Sequence, residues 1–335
     1  MKNTLILISI LTFNSTIAQV SDFKSIDFTR ADNIAKLNDG HSLDNLPLLA
    51  HNLTYKLTTD AEKFRAIYFW VCNNIKGDAV QDHKVSKKRK QFKNDSLGYL
   101  KWNNQYKITA FKKLLKHKKT MCTGYAYLLK ELCFFANLDC KIINGYGRSV
   151  TSNIDSLSMI NHSWNAVKLN NKWYLCDATW SSGYLLNGST FIKDYNNGYF
   201  LTDPILFAKN HFPIDKKWYL NDSLKEATFV VSPIVYGETF EHKIIPISPA
   251  EMNLTSKLDE AVHFSFKTLK TVDNDKVALV QFSGINEIQF DIYDLKNDNG
   301  VITFKTKFPY KGFYDVHLKI QNDIVATYTV KVEKS

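Results

Sequence analysis

The sequence predicts an α+β protein in two folded units: a mixed helical and stranded region followed by an all-β sandwich. Three observations carry this reading. Apolar residues recur three or four apart between residues 60 and 75, and again from 122 to 135, as on one face of a helix. Two alternating segments meet at a two-residue polar turn, Asn170-Asn171. Beyond about Leu224 the chain changes to short alternating runs divided by turn residues, the texture of a β-sandwich. A length of 335 residues suits two domains, and an apolar share of 44% with 23% charge excludes a disordered chain.

The expected divisions are 1–18, 19–224 and 225–335. Residues 1–18 read as a cleavable signal peptide: Lys2, an apolar run from Leu5 to Phe13, then Thr16 and Ala18 at the positions before a cut. The run is far shorter than the roughly 20 apolar residues that span a membrane, and no later segment reaches that length. Nor does a cysteine follow the cut to carry a lipid. The expectation is a secreted or periplasmic protein without a membrane span.

In the second unit, Thr59-Asp60-Ala61-Glu62 matches a capping box. Phe64, Ile67, Tyr68, Val71 and Ile75 then form the apolar stripe of a helix ending near Gly77. Lys84, Lys87, Lys88, Arg89, Lys90 and Lys93 hold much of the excess behind the net charge of +10. With little apolar content, this stretch reads as a solvated loop, or as a contact for an anionic surface polymer. No nucleic-acid motif accompanies it. Lys107 to Leu115 reads as a short helix.

Cys122 opens a helix that carries Tyr125, Leu128, Leu129, Leu132 and Phe135 on one face. A strand is expected over Cys140–Tyr146, a polar loop over Ser149–Ser158, and two strands over His162–Leu169 and Lys172–Thr179. In the third unit, strands are expected at Val262–Phe266, Val277–Phe282, Ile288–Tyr293, Val301–Lys307, Phe313–Ile320 and Ile324–Val332.

The candidate chemistry lies in Cys122, His162 and Asp177. A thiol attacks an amide as thiolate, and a helix N-terminus beside an imidazolium lowers its pKa. A two-residue turn at Asn170-Asn171 sets Trp164 opposite Asp177 and Thr179 opposite His162. His162 and Asp177 are then diagonal neighbours on one face, about 7–8 Å apart along the backbone, within side-chain reach. A three-residue turn would put them on opposite faces. Such an aspartate can fix the imidazole tautomer while the imidazole activates the thiol. Five cysteines leave at least one unpaired in an oxidising compartment. Cys72, Cys133, Cys140 and Cys176 sit in apolar surroundings and read as packing or disulfide residues. No CxxC pair occurs and the spacing from Cys133 to Cys140 is not that of a zinc site, so neither metal nor cofactor is expected.

Three blocks, Met121-Cys122-Thr123-Gly124-Tyr125-Ala126, Asn161-His162-Ser163-Trp164-Asn165-Ala166 and Trp173-Tyr174-Leu175-Cys176-Asp177-Ala178-Thr179-Trp180, resemble the motifs of the transglutaminase-like superfamily in order and spacing. Lys63-Phe64-Arg65-Ala66-Ile67-Tyr68-Phe69-Trp70 and His211-Phe212-Pro213 resemble flanking segments of its kyphoscoliosis-peptidase-like branch, so the likeness runs from about residue 59 to 220. The strands around Pro309–Tyr314 are similar to that branch's immunoglobulin-like module. The resemblance implies a papain-like core with Cys122 as nucleophile, His162 as base and Asp177 as its orienter. It implies a thioester resolved by water or an amine, on a protein side chain, a peptide bond or a cell-wall peptide. It implies an oxyanion site built on the Cys122 N–H; Trp70 and Trp102, which precede the cysteine, are the candidates for its second donor, and by their type each reads first as a core aromatic. Gly77, where the family commonly has an aromatic residue before its aspartate, and the lysine-rich insertion depart from the pattern. No calcium-ligand cluster accompanies it, so a metal requirement is not carried over. The rival reading is a non-catalytic scaffold or binding protein, in which Cys122 is unreactive.

Overall fold

The computed structural model describes residues 20–334 apart from 151, 153–156, 158 and 222–225. The signal-peptide expectation for residues 1–18, and part of the polar loop at 149–158, lie outside the described residues.

The chain enters through α1 (Thr29–Leu37) and α2 (Leu46–Thr54). Neither was expected. The Asn45 side chain caps α2 by accepting from the Leu48 N–H at 3.0 Å, and Pro47 in the first turn needs no donor of its own. Next comes α3 (Asp60–Asn74), whose capping box is complete: Thr59 Oγ1 accepts from the Glu62 N–H, and Glu62 Oε2 accepts from the Thr59 N–H, each at 3.2 Å. Phe64, Ile67, Trp70 and Val71 bury its inner face. The helix stops at Asn74, before Gly77, because Ile75 is extended and Lys76–Gly77 (β1) pairs in parallel with Lys119–Thr120 (β2).

Between those two strands the expected loop is a helical hairpin. In place of the loop from Lys84 to Asn94 stands α4 (Ala79–Gln91), capped by Asp78; in place of a short helix at 107–115 stands α5 (Ser96–His117), capped by Asp95. The reason is local. Residues 79–91 contain neither Pro nor Gly, and Lys, Arg and Gln lose little rotamer freedom in a helix. No apolar stripe announces α4 because its long basic side chains lie over aromatic rings of α5: Lys84 over Tyr106 at 4.4 Å, Arg89 over Tyr99 at 5.8 Å and Lys88 over Trp102 at 5.9 Å.

The buried helix α6 (Cys122–Phe135) packs on an antiparallel sheet. That sheet is made from β3 (Cys140–Gly147), β4 (His162–Leu169) and β5 (Lys172–Cys176). Asn165 pairs with Cys176 and Leu169 with Lys172, which leaves Asn170 and Asn171 alone in the turn, at φ 48° and 62°. Two consecutive left-handed residues make the two-residue hairpin the sequence suggested, with the expected pairing parity. Strand β5 ends at Cys176 instead of Thr179, because Asp177 caps the short helix α7 (Ala178–Ser182). A small hairpin, β6 (Gly183–Leu186) and β7 (Thr190–Lys193), and the turn α8 (Pro204–Phe207) then lead to β8 (His211–Pro213). Strand β8 joins the far edge of the sheet, in the order β5-β4-β3-β8.

After α9 (Glu226–Val231), β9 (Ile234–Val235) and α10 (Gly237–Glu241) come the remaining strands. They are β10 (Ile244–Ser248), β11 (Asn253–Lys257), β12 (Val262–Thr268), β13 (Val277–Ser283), β14 (Asn286–Gln289), β15 (Tyr293–Asp298), β16 (Val301–Thr306), β17 (Gly312–Ile320) and β18 (Asp323–Glu333). One sheet has the order β10-β12-β16-β15; the other is β11-β18-β17-β13-β14, with β9 on β18. Phe264, Phe304, Leu279, Leu318 and Tyr328 fill the core of this unit. The single strand expected at Ile288–Tyr293 is two, β14 and β15, in different sheets, with buried Phe290 between them. The fold is therefore α+β, a helical and stranded core followed by a β-sandwich. Phe240 of α10 stacks on Tyr199 at 4.3 Å, tying the start of the sandwich to the core. Among the described residues no helix is long and apolar enough to cross a membrane.

Candidate active site

Cys122 is the first residue of α6, and the preceding Met121 is extended with no side-chain cap. The half-buried thiol thus stands at a helix N-terminus with no side-chain cap, an end that favours negative charge. Burial by itself would raise this thiol. The hydrogen bond and charge of His162, aided by the Arg89 charge and the Ser163 backbone, outweigh it, and the net shift is downward.

His162 opens β4 with its side chain buried, and its Nε2 lies 2.7 Å from Oδ2 of Asp177. Nδ1 is left for the thiol. The ring is stacked on Trp180, centroids 4.6 Å apart and planes 18° from parallel. Gly147 of the neighbouring strand leaves room for that stack: a Cβ there would stand 3.0 Å from both His162 and Trp180. Burial disfavours the imidazolium, but the Asp177 charge and hydrogen bond and the Cys122 thiolate dominate, raising the His162 pKa to about 10.

Asp177 is fully buried. Its Oδ1 accepts from the N–H groups of Thr179 and Trp180, at 2.7 and 3.3 Å, and its Oδ2 faces two imidazoles. Burial would raise this carboxyl; His162 and His211 together hold it well below the usual carboxylate range. Tyr68 fixes the backbone from behind, its hydroxyl donating to the Asp177 carbonyl at 2.9 Å.

All three residues singled out in the sequence meet in this place. Two others were missed. His211, on β8, lies 3.1 Å from Oδ2 of Asp177. It stands 34 residues further along, so no local spacing ties it to Asp177, and the signal for it is the His211-Phe212-Pro213 segment alone. Trp180 stands three residues after Asp177, and that spacing is the signal for it in the sequence. Arg89, read as one charge of a basic run, donates from Nε to the Ile160 carbonyl at 3.1 Å, bringing α4 against the chain just before His162. Trp70 is a core residue whose Nε1 donates to the Asn38 carbonyl at 2.6 Å, and Trp102 stacks on Tyr106 at 5.0 Å on the hairpin. Cys72, Cys133, Cys140 and Cys176 are buried free thiols, and burial pushes Cys72, Cys133 and Cys176 upward. Among the described residues, His162, Asp177 and His211 have ligand atoms close enough together to hold a metal ion, all within 4.8 Å. In this arrangement those nitrogens already face Asp177 Oδ2 at hydrogen-bond distance.

Residues 48–178, a span that includes Cys122, His162 and Asp177, match the family model of the transglutaminase-like superfamily. The chain carries a transglutaminase-like domain. That domain is similar to human kyphoscoliosis peptidase, 34% identical over 181 residues, which is 51% of this chain and 24% of that protein. It is also similar to hillarin of Drosophila melanogaster, 26% identical over 209 residues, 58% of this chain and 23% of that protein. These likenesses support the kyphoscoliosis-peptidase-like branch expected from the flanking segments. The chain spans about a quarter of the length of the curated relatives it matches. A solved structure described as a putative protease from Parabacteroides distasonis aligns with 89% of this chain and 52% of its own, at 12% identity and a TM-score of 0.28.

Proposed function

We propose that the protein is an exported cysteine-dependent peptidase, amidase or glutamine acyl-transferase, with Cys122 as nucleophile, His162 as acid and base, and Asp177 as the orienter. The observation that supports this reading is the 2.7 Å contact between His162 and the buried Asp177 carboxylate beside a cysteine that opens a helix, with the thiol lowered by His162 and the imidazole raised. A thiolate–imidazolium pair is the reactive form of such a site.

In this reaction the Cys122 sulfur attacks the carbonyl carbon of a carboxamide, and the resulting oxyanion is met by the Cys122 backbone N–H. His162 gives its proton to the departing nitrogen, the C–N bond breaks, and a thioester remains. Water, or an amine in the transfer reaction, then attacks the thioester while His162 takes up its proton, and the thiolate is released. The substrate is a protein or peptide carboxamide; a cell-wall peptide is within this class.

Export rests on the signal-peptide reading of residues 1–18, and the division at 224/225 makes the β-sandwich a separate unit that docks the catalytic part on a partner. The exposed Lys84, Lys87, Lys90 and Lys93 around α4 supply a contact for an anionic surface polymer.

The test is iodoacetamide labelling across pH, with the modified cysteine located by mass spectrometry in the wild type and in His162→Ala. Selective labelling of Cys122 well below the ordinary thiol pKa of about 8.5, lost in the variant, supports an imidazole-activated nucleophile. Labelling of Cys122 no faster than a free thiol, or no labelling, overturns the proposal and favours a non-catalytic scaffold.

A further inference from the structure

The carboxylate of Asp177 has a second imidazole on it that the proposed chemistry does not use. His211 is fully buried, stacked on Phe207 at 3.8 Å, with Trp180 and Trp164 at 4.4 and 5.0 Å between ring centroids. The titratable groups that face it are Asp177, with Oδ2 3.1 Å from its Nε2, His162, with ring centroids 5.3 Å apart, and Tyr199 at 6.1 Å. On the other side, Nδ1 is 2.6 Å from Oδ1 of Asn210, whose Nδ2 donates to the Tyr199 hydroxyl at 3.3 Å, and the Phe207 carbonyl also faces the ring.

We propose that His211 is a positioning residue: a neutral imidazole, held in its Nε2–H tautomer by Asn210, that donates to Asp177 and keeps this carboxylate charged and turned towards His162. The inference rests on the catalytic reading of Cys122, His162 and Asp177.

Three steps lead to it. One buried carboxylate cannot neutralise two imidazolium ions, and His162 is the one in contact with the thiolate. Burial accordingly holds His211 down to about 4, so it carries a single ring proton at neutral pH. That proton belongs on Nε2, because the partner there is ionised and a hydrogen bond to a charged acceptor is roughly twice as strong as one to a neutral amide. Nδ1 must then accept. A donor is at hand once the Asn210 amide is turned so that its nitrogen faces the ring and its oxygen faces Tyr199; the two ends of an amide are assigned from the network around them. The Tyr199 hydroxyl then donates to Asn210, Asn210 to His211, and His211 to Asp177.

The consequence is that Asp177 receives hydrogen bonds on both oxygens: two from the start of α7 on Oδ1, and His162 and His211 on Oδ2. Remove His211, and the buried carboxylate loses a donor that favours its charged form. The proton shared with His162 moves towards Asp177, the imidazolium weakens, and the Cys122 thiolate loses part of its support.

Nitrogen-15 NMR of histidine-labelled full-length protein reads the tautomer directly. The expected spectrum has a protonated Nε2 and a bare Nδ1 for His211 from pH 7 down to about 5, since ionisation waits for about pH 4. A doubly protonated ring or an Nδ1–H tautomer at pH 7 overturns the proposal. The second measurement is the pH profile of Cys122 alkylation. His211→Phe should move its midpoint up by about one unit. His211→Gln, whose amide can place an N–H near the Nε2 position, should return most of that shift. A folded His211→Phe variant whose profile overlies the wild type overturns the positioning role. If wild-type Cys122 is not activated at all, the catalytic reading falls, and the NMR result still decides the state of His211.

Discussion

The Asn165 side chain holds the helix of Cys122 against the strand of His162: its Nδ2 donates to the Ala126 carbonyl at 3.0 Å, one turn into α6. The same nitrogen lies 3.3 Å from the Lys141 carbonyl on β3, so one buried amide links the helix and two strands. An asparagine that bonds to neither catalytic side chain thus ties the helix of the thiol to the strand of the imidazole.

Asn165→Ala removes this link from a fully buried position. The expected loss of stability is about 1–3 kcal/mol, from the hydrogen bonds and the space left behind. Alkylation of Cys122 at neutral pH should slow in the still-folded variant, because α6 can move relative to β4. Urea denaturation and labelling rates measure the two effects separately; an unchanged labelling rate would show that α6 is held by its apolar face alone.

Gly147→Ala tests the packing of the imidazole. The added Cβ meets His162 and Trp180 at 3.0 Å, so the ring must shift by a few tenths of an ångström. Stability should fall by about 1 kcal/mol, the low end for overpacking, while Cys122 reactivity falls several-fold. A variant that is less stable yet equally reactive would mean that Trp180, and not His162, gives way.

Much of this site was legible because its determinants are local. The two-asparagine turn fixes pairing parity, and parity puts His162 and Asp177 on one face; the run after Cys122 declares a helix by its apolar spacing. Asp177 was less transparent. It read as the interior of a strand, yet it caps α7, and capping is what anchors Oδ1 and leaves Oδ2 for the imidazoles. His211 was beyond local reading, since β8 reaches Asp177 only by pairing with the far edge of β3. The hairpin of α4 and α5 was missed for a different reason. Its stability comes from cations lying on aromatic rings of another helix, which leaves no periodic apolar signal in α4 itself.

That hairpin gives the partner proposal a simple test. Lys87, Lys90 and Lys93, which lie over no ring, replaced together by Glu should abolish retention on an anionic polysaccharide while the variant keeps its fold and its Cys122 labelling. Wild-type binding should weaken steadily between about 0.05 and 0.5 M salt as the Debye length shrinks. Affinity that holds constant over that range would rule out an electrostatic contact.

The two histidines predict opposite pH dependences of stability. His162 is raised in the folded state to about 10, above its ordinary value near 6.5. Its contribution is complete below about 6.5 and is lost as pH rises through about 10. His211 is lowered to about 4, so its contribution is complete above about 6.5 and is lost as pH falls through about 4. Cys122, being lowered, adds a slope of the opposite sign in alkali, and the comparison is cleanest in a Cys122→Ser background, where His162 still keeps its Asp177 partner. There, urea midpoints should fall from pH 7 to 10 more steeply with His162 than with Gln in its place, and from pH 6.5 to 4 more steeply with His211 than with Gln. Parallel curves in the alkaline range would mean that the Asp177 carboxylate does not hold an imidazolium at His162, and parallel curves in acid would mean that His211 is charged in the native protein.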